Sequence, residues 1–458
     1  MGSHVYNAWL AQIAEQGKAS GVYVVWQWNN IFFDLLLFYF AKWIGLVAAE
    51  KIAVSLCVLI FFWGVFSFSS VVAHRPPWLL TPLIAMLAYG FVFHMGFMNY
   101  YLSLGLASIG VALVWPVKKN GLLAAGILAP FMFFAHPLGL LWFAGAAAYR
   151  ILWTKLPGWW KLLLPAAAFA VVFGVRWFVA RQAQYEVEWR DTPLWRLSGA
   201  DQFRIFGDRY LAISSVIFVF ALSCTAVDWR WHSDGSTFWT SRRLVLELYL
   251  ISFCTTALLP ENLRSNPSAG WIGLLVTRLT LISAIFGVCW LASLAPRWWH
   301  LPGFGAIAAM FFVFLWQDTA YLNRMEAGAE KITHELPFGT RVVATIFAPA
   351  GYRTAYLHIV DRACAGHCFL VSNYEPSTGQ FRVRVRRGSP VVTASVDDSE
   401  DMQSGAYDVQ EEDLPLKQIY QCEGSDLTRI CIRDLAADEK NGQIGYHPVS
   451  NPYASHIP

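Results

Sequence analysis

Residues 51–73 read KIAVSLCVLIFFWGVFSFSSVVA, 23 positions whose one charged side chain, Lys51, stands at the start. At about 1.5 Å per residue such a helix is roughly 34 Å long, enough to cross the ~30 Å hydrocarbon core of a bilayer. Comparable apolar runs recur along the chain at 78–95, 98–115, 162–180, 211–228, 244–260, 271–295 and 303–321. Residues 121–153 are too long for one crossing and carry His136-Pro137 in their middle, so two short helices turning there are expected. Residues 31–48, IFFDLLLFYFAKWIGLVA, contain Asp34 and Lys42 and suit either an interfacial amphipathic helix or a crossing. The expected fold is a polytopic α-helical membrane bundle of about 10 or 11 membrane helices.

Composition divides the chain in two. Of its 458 residues 56% are apolar and 14% charged, against roughly 25% charged in a soluble domain. Residues 1–322 hold 21 Lys+Arg and 13 Asp+Glu, whereas the 136 residues from 323 to 458 hold 13 and 18. The first part belongs in lipid and the second in water. A nucleic-acid partner is excluded, because the positive excess lies among apolar segments and not in a solvated patch. The reading is an outer interfacial segment 1–50, a transmembrane bundle 51–322 and a small extracytoplasmic α+β domain 323–458.

Basic residues orient the bundle, since short cytoplasmic loops favour Lys and Arg. His74-Arg75, Lys118-Lys119, Arg150 with Lys155 and Lys161, Arg230 with Arg242-Arg243, and Arg297 all fall on one side, taken as cytoplasmic. The opposite turns, at 95–97, His136 and 262–270, carry one Arg between them. The last crossing then exits outward and carries 323–458 with it. The start, MGSHVYNAWLAQIAEQGKASG, has no charged head followed by an apolar core, so no cleavable signal peptide is read. An outside N-terminus implies a membrane helix upstream of Met1, unless residues 31–48 are the first crossing.

Cys57, Cys224, Cys254 and Cys289 stand singly in apolar helices and read as packing residues. Cys364, Cys368, Cys422 and Cys431 cluster in the polar part, and in an oxidising compartment four cysteines form two disulfides, with three possible connectivities. The string CAGHC offers a Zn alternative with His367, but no second ligand pair has zinc spacing. Strands are expected at 341–347, 380–385, 390–396 and 428–435. Between Asp397 and Asp413 stand eight acids and no Lys or Arg. That stretch reads as a solvated acidic loop, with a divalent-cation or glycan-hydroxyl site as the alternative.

Polar residues inside a membrane bundle are costly, so their positions are informative. In the oriented bundle His94, Asn99, His136, Arg176 and Arg278 fall near the outer ends of their helices, with Asn29, Asn30 and Asp34 at the same interface. Together they are expected to line an outward cavity. Each also has a plainer role: a headgroup contact for each histidine, a helix cap for Asn99, snorkelling for Arg176. Glu247 is expected to pair with the nearby Arg242-Arg243. The 22 Trp and 18 Tyr indicate interfacial belts.

The strings SHVYNAWLA, VWQWNNIFFDLLL, VFHMGFMNYYLSLGLA, FMFFAHPLGLLW, LLPENLRSNPSAGWIGLLVTRLTL and LNRMEAGAEKITHELPFGTRVV give residues 1–345 a layout that resembles the GT-C class of membrane glycosyltransferases, nearest to uncharacterised bacterial multi-pass members. The resemblance implies a bacterial inner-membrane enzyme with a polyprenyl-phosphate sugar donor and an extracytoplasmic glycan or protein acceptor. It implies no certain cofactor, with a divalent metal as an option. His4 matches the histidine that follows the class's first-loop acid, and residues 5–48 match its interfacial helices. The acid itself would lie before His4, where the sequence begins; the resemblance thus implies a truncated first loop and leaves the activity of the chain as written open, with Asp34 the remaining catalytic candidate beside His4. Inverting transfer needs a carboxylate on the acceptor hydroxyl and cations or imidazoles on the departing lipid phosphate. Arg278, His94 and His136, with Asn99, are the residues expected to hold that phosphate or the sugar. The alternatives are a non-catalytic scaffold that presents an exported partner-binding domain, and a transporter, which would show internal repeats or broken mid-membrane helices.

Overall fold

The computed structural model describes residues 1–182, 186–189, 194–231, 235–264, 273–294, 296–347, 356–422, 426 and 428–442. In chain order the helices are α1 (Gly2–Glu15), α2 (Phe32–Ile44), α3 (Leu46–Ala73), α4 (Thr81–Ala88), α5 (Phe91–His94), α6 (Met98–Val114) and α7 (Lys119–Ala135). They continue with α8 (Pro137–Lys155), α9 (Trp160–Gln182), α10 (Leu194–Leu197), α11 (Arg209–Trp231), α12 (Gly235–Leu258), α13 (Leu275–Ser293), α14 (Leu301–His334), α15 (Ile359–Cys364), α16 (Tyr374–Thr378) and α17 (Val396–Ser404). The strands are β1 (Val22–Val24), β2 (Glu186–Glu188), β3 (Asn262–Arg264), β4 (Thr340–Thr345), β5 (Cys368–Leu370), β6 (Val383–Val385), β7 (Lys417–Gln421) and β8 (Ile430–Asp434). The residues group into two units, Trp26–Gln317 and Met1–Val25 with Asp318–Pro458. This grouping cuts the composition-drawn segment 1–50 at Val25.

In the unit Trp26–Gln317 the helices are apolar for two different reasons. Among the described residues five segments are long and apolar enough to cross a membrane: Leu46–Ala73, Trp160–Arg181, Arg209–Asp228, Leu275–Ser293 and Trp298–His334. The ten or eleven expected from hydropathy are not confirmed among the described residues. Trp78–His94, Met98–Val114 and Lys119–Ala135 are apolar but shorter. α6 is largely enclosed, with 14 of its 17 residues buried, so its apolar surface packs against protein on most sides. Its approach to α3 is backbone on backbone. A Cβ added to Gly105 would meet Ile60 and Phe61 backbone atoms at 2.8 Å, and one on Gly64 would meet the Gly105 carbonyl at 2.3 Å.

The expected turn inside 121–153 is present. α7 ends at Ala135, His136 is extended, and α8 begins at Pro137. Proline suits the first helical position because its missing N–H has no partner to lose there. The His136 Nδ1 accepts a hydrogen bond from the Leu138 N–H at 3.2 Å, as an N-cap does. In residues 31–48 the helix α2 stops after 13 residues at Gly45, whose φ of 81° breaks the run before α3. A helix of 13 residues is about 20 Å long, short of a crossing. Its buried side is Phe33, Leu37, Phe38 and Ala41, while Tyr39, Trp43 and Ile44 are exposed.

The other unit is α+β. Its four-stranded sheet has the order β5-β4-β7-β8, with β4 parallel to both neighbours and β7 antiparallel to β8. Val343, Val371, Met402, Val409, Leu416 and Leu435 form its core. β1 and β6 pair as a separate antiparallel ribbon. α1 completes the unit: the Leu370 N–H donates to the Tyr6 hydroxyl at 2.8 Å, and the Asn7 amide donates to Glu375 at 2.7 Å. The cysteines form two disulfides, Cys364–Cys368 and Cys422–Cys431. The first excludes a thiolate zinc site at CAGHC.

Two expectations in this unit are corrected. Residues 390–396 are not a strand, and the acidic stretch is not one loop. A helix runs Val396–Ser404, with Ser395 as its cap accepting from the Asp398 N–H at 3.1 Å and Asp397 and Asp398 in its first turn. The acids sit at the positive end of the helix dipole, where they stabilise it.

Candidate functional site

The polar side chains of the membrane unit meet where α6, α8 and α13 begin. Asn99, in the first turn of α6, does not cap its own helix. Its Nδ2 donates to Asp34 Oδ2 at 2.7 Å and to the Asn30 carbonyl at 3.1 Å, and its Oδ1 accepts from the Phe33 N–H at 2.7 Å. Asn99 thus holds the start of α2 and fixes the Asp34 carboxylate, which is half-buried.

The next residue on α6 connects to a second group. The buried Tyr100 hydroxyl donates to the Arg278 carbonyl at 2.8 Å, and its ring lies edge-on to His136 with centroids 5.1 Å apart. The Arg278 guanidinium stacks 4.4 Å from the centre of the Phe97 ring. Arg278 lies within electrostatic reach of His136 and Glu261, and its buried Nε has no hydrogen-bond partner among the described residues.

A third group was not legible in the sequence. Arg196, Asp201, Glu261, Thr277 and Thr280 form one buried network. Arg196 donates to the Thr277 hydroxyl at 2.5 Å and lies 3.4 Å from Asp201 and 3.6 Å from Glu261. Thr277 donates to Glu261 at 2.7 Å, and Thr280 donates to Asp201 at 2.9 Å. Gln202 donates to Thr280 at 2.8 Å and to the Thr277 carbonyl at 3.2 Å. Asp201 Oδ1 and Glu261 Oε2 are buried with no hydrogen-bond partner among the described residues. Asp201 lies in the turn 200–203, outside the spanning helices. Burial pushes its carboxyl up to about 7, against the opposing pull of Arg196 and Thr280. The available signal was a lone acid at the polar end of an apolar run, as in Pro260-Glu261-Asn262.

The remaining candidates have the following surroundings. His94 ends α5 and packs edge-on against Phe93 and Phe206. Arg176 does not only snorkel: it donates to the Leu258 carbonyl at 2.7 Å and stacks 4.2 Å from the Trp189 ring. Glu247 takes Arg243 at 2.6 Å, the local pair expected, and also the Tyr149 hydroxyl at 2.6 Å. His4 lies on α1 in the polar unit and Asp34 on α2 in the membrane unit. A shallow cleft lined by Cys224, Asp228, Leu291, Arg297 and His300 opens at the other end of α13. Among the described residues no three or more His, Cys, Asp or Glu side chains are grouped to hold a metal ion.

The arrangement offers one poorly satisfied cation, the His136 and Tyr100 rings beside it, and carboxylates in two distinct environments. Comparison with family models, curated proteins and solved structures finds no significant match.

Proposed function

We propose that this chain is a GT-C-like membrane glycosyltransferase that takes a sugar from a polyprenyl-phosphate donor to an extracytoplasmic glycan or protein. The observation that carries the reading is Arg278: a cation among helices, stacked on Phe97, with a buried donor atom that no described residue satisfies. A lipid-linked phosphate supplies the missing acceptor at that depth, and its chain needs the apolar flanks the bundle provides. His136 and Tyr100 border the same position. In the transfer, the acceptor hydroxyl attacks the anomeric carbon, the bond from that carbon to the phosphate oxygen breaks, and the phosphate leaves on the lipid. Asp34, oriented by Asn99, takes the hydroxyl proton. Asp201 and Glu261 are too enclosed to meet an acceptor; they hold Arg196 and the start of α13. The outward placement rests on the positive-inside count.

The test is binding and transfer by the full chain in nanodiscs. Arg278→Met is expected to weaken polyprenyl-phosphate binding about tenfold or more, the size of a lost charge-assisted hydrogen bond. Asp34→Asn is expected to abolish transfer while donor binding stays. Unchanged lipid affinity in Arg278→Met, with raised thermal stability, leaves Arg278 as a tolerated buried charge and sinks the reading.

A further inference from the structure

The polar unit contains two stretches without an acid: residues 16–25, with Lys18, and residues 376–396, with Arg382, Arg384, Arg386 and Arg387. They meet in the β1–β6 ribbon, although 323–458 as a whole is net negative, with 13 basic against 18 acidic residues. The register pairs Val22 with Val385, Tyr23 with Arg384 and Val24 with Val383. Opposed residues of an antiparallel pair share a face and neighbours alternate. Tyr23, Arg382, Arg384 and Arg386 therefore lie on one face and the four valines on the other. Val22 and Val383 are buried, and Arg386 and Arg387 are exposed. The Arg386 guanidinium stacks 5.4 Å from the centre of the Tyr23 ring.

The frame beneath this face is fixed. The Arg386 N–H donates to the Gly21 carbonyl at 2.8 Å, the Val25 N–H to the Arg382 carbonyl at 2.9 Å, and the Ser389 hydroxyl to the Ser20 carbonyl at 2.8 Å. Gly21 has a φ of +77°, and a Cβ there would stand 2.6 Å from Ser389 Cβ, so the ribbon closes only on a glycine.

We propose that this arginine–tyrosine face rests on the anionic phospholipid headgroups of a bilayer. Guanidinium groups bind phosphate oxygens in bidentate pairs, and a tyrosine beside them suits the headgroup level. The adjoining sequence favours lipid over an anionic glycan. β1 runs directly into Trp26 and Trp28, which are 60% and 65% exposed, and then into α2 with its outward Tyr39, Trp43 and Ile44. Exposed indoles followed by an amphipathic helix are the composition of a membrane interface. This surface is independent of Arg278 and stands whether or not the chain transfers sugar.

The experiment is hydrogen–deuterium exchange on the full chain in two nanodisc preparations, one of phosphatidylcholine alone and one with about 30% phosphatidylglycerol. Amides of residues 380–389 are expected to exchange about fivefold or more slowly in the anionic discs. That slowing disappears in Arg384→Gln/Arg386→Gln/Arg387→Gln. Raising salt to about 0.5 M erases it in the unaltered chain, a control that needs no variant to fold. Equal exchange in the two discs overturns the proposal. So does slowing that requires an added soluble anionic polysaccharide, which assigns the face to a glycan, and so does slowing that survives both high salt and the triple substitution.

Discussion

In the membrane unit the buried polar groups gather into a few clusters assembled from helix ends, Asp34 with Asn99 and Arg196 with Asp201, Glu261 and Thr277. In the polar unit they are distributed over the fold. Asn7 bonds both Glu375 and Asn373, Asn441 bonds the Met402 carbonyl, and two disulfides close loops of 4 and 9 residues. The difference follows from what each unit lacks. Membrane helices satisfy their own backbone and associate through close packing, so Gly105 matters more than any cross-link. The polar unit has a small apolar core, the situation in which covalent staples add most.

The strongest way to break this comparison is Gly105→Leu. The Cβ alone collides with the α3 backbone at 2.8 Å, so α3 and α6 must separate, at an expected cost of about 3 kcal/mol or more. The loss should appear in the melting of the bundle in detergent, with the polar unit's resistance to protease unchanged. A variant that melts like the parent means that the two helices are not held backbone to backbone.

Removing the Cys422–Cys431 disulfide by paired serine substitutions is the complementary break. Closing a loop of this size stabilises a chain by about 2–3 kcal/mol, so proteolysis of 318–458 should accelerate while bundle melting stays. Equal damage to both readouts would join the two units in one cooperative transition.

Much of this was readable, and the exceptions have physical causes. The His136-Pro137 turn and the four clustered cysteines were visible because each depends on adjacent residues or on composition. At 31–48 the apolar run is cut by one glycine, Gly45, whose positive φ no hydropathy profile registers. The number of crossings was not legible from hydropathy, since burial in protein, as in α6, and burial in lipid select the same side chains. The segment 390–396 carried β-branched residues without forming a strand, and the acids after it were taken for a loop although Ser395 and Asp398 spell a helix start. In the candidate site, single residues on helices were found but their partners were not. The Arg196–Asp201–Glu261 network joins positions more than 60 residues apart through threonines that carry no charge signal. The docking of α1 onto 318–458 was equally hidden, because Ser3 and Asn7 meet Glu375 across most of the chain.

A smaller effect sharpens the contrast by giving the two units pH responses of opposite sign. Asp201 is raised by burial from 3.8 to about 7, so the folded membrane unit holds a proton that the unfolded chain has lost. Its favourable contribution is complete below about 3.8 and is lost as pH rises through about 7. In the polar unit His367 is lowered from 6.5, by burial first and then by His334, whose ring lies 4.1 Å away. There the unfolded chain binds the proton more readily, so stability is present above 6.5 and declines as pH falls below it. Between about pH 4 and 6.5 the bundle should weaken with rising pH while the polar unit strengthens. Because other groups also titrate, the measurement is the difference between the parent and each variant, read by exchange of amides within each unit. Asp201→Asn should flatten the bundle's slope and leave the polar unit's alone, and His367→Gln should do the reverse. If both slopes have the same sign, or if each survives its own substitution, the carboxyl and the imidazole are not the groups that set them.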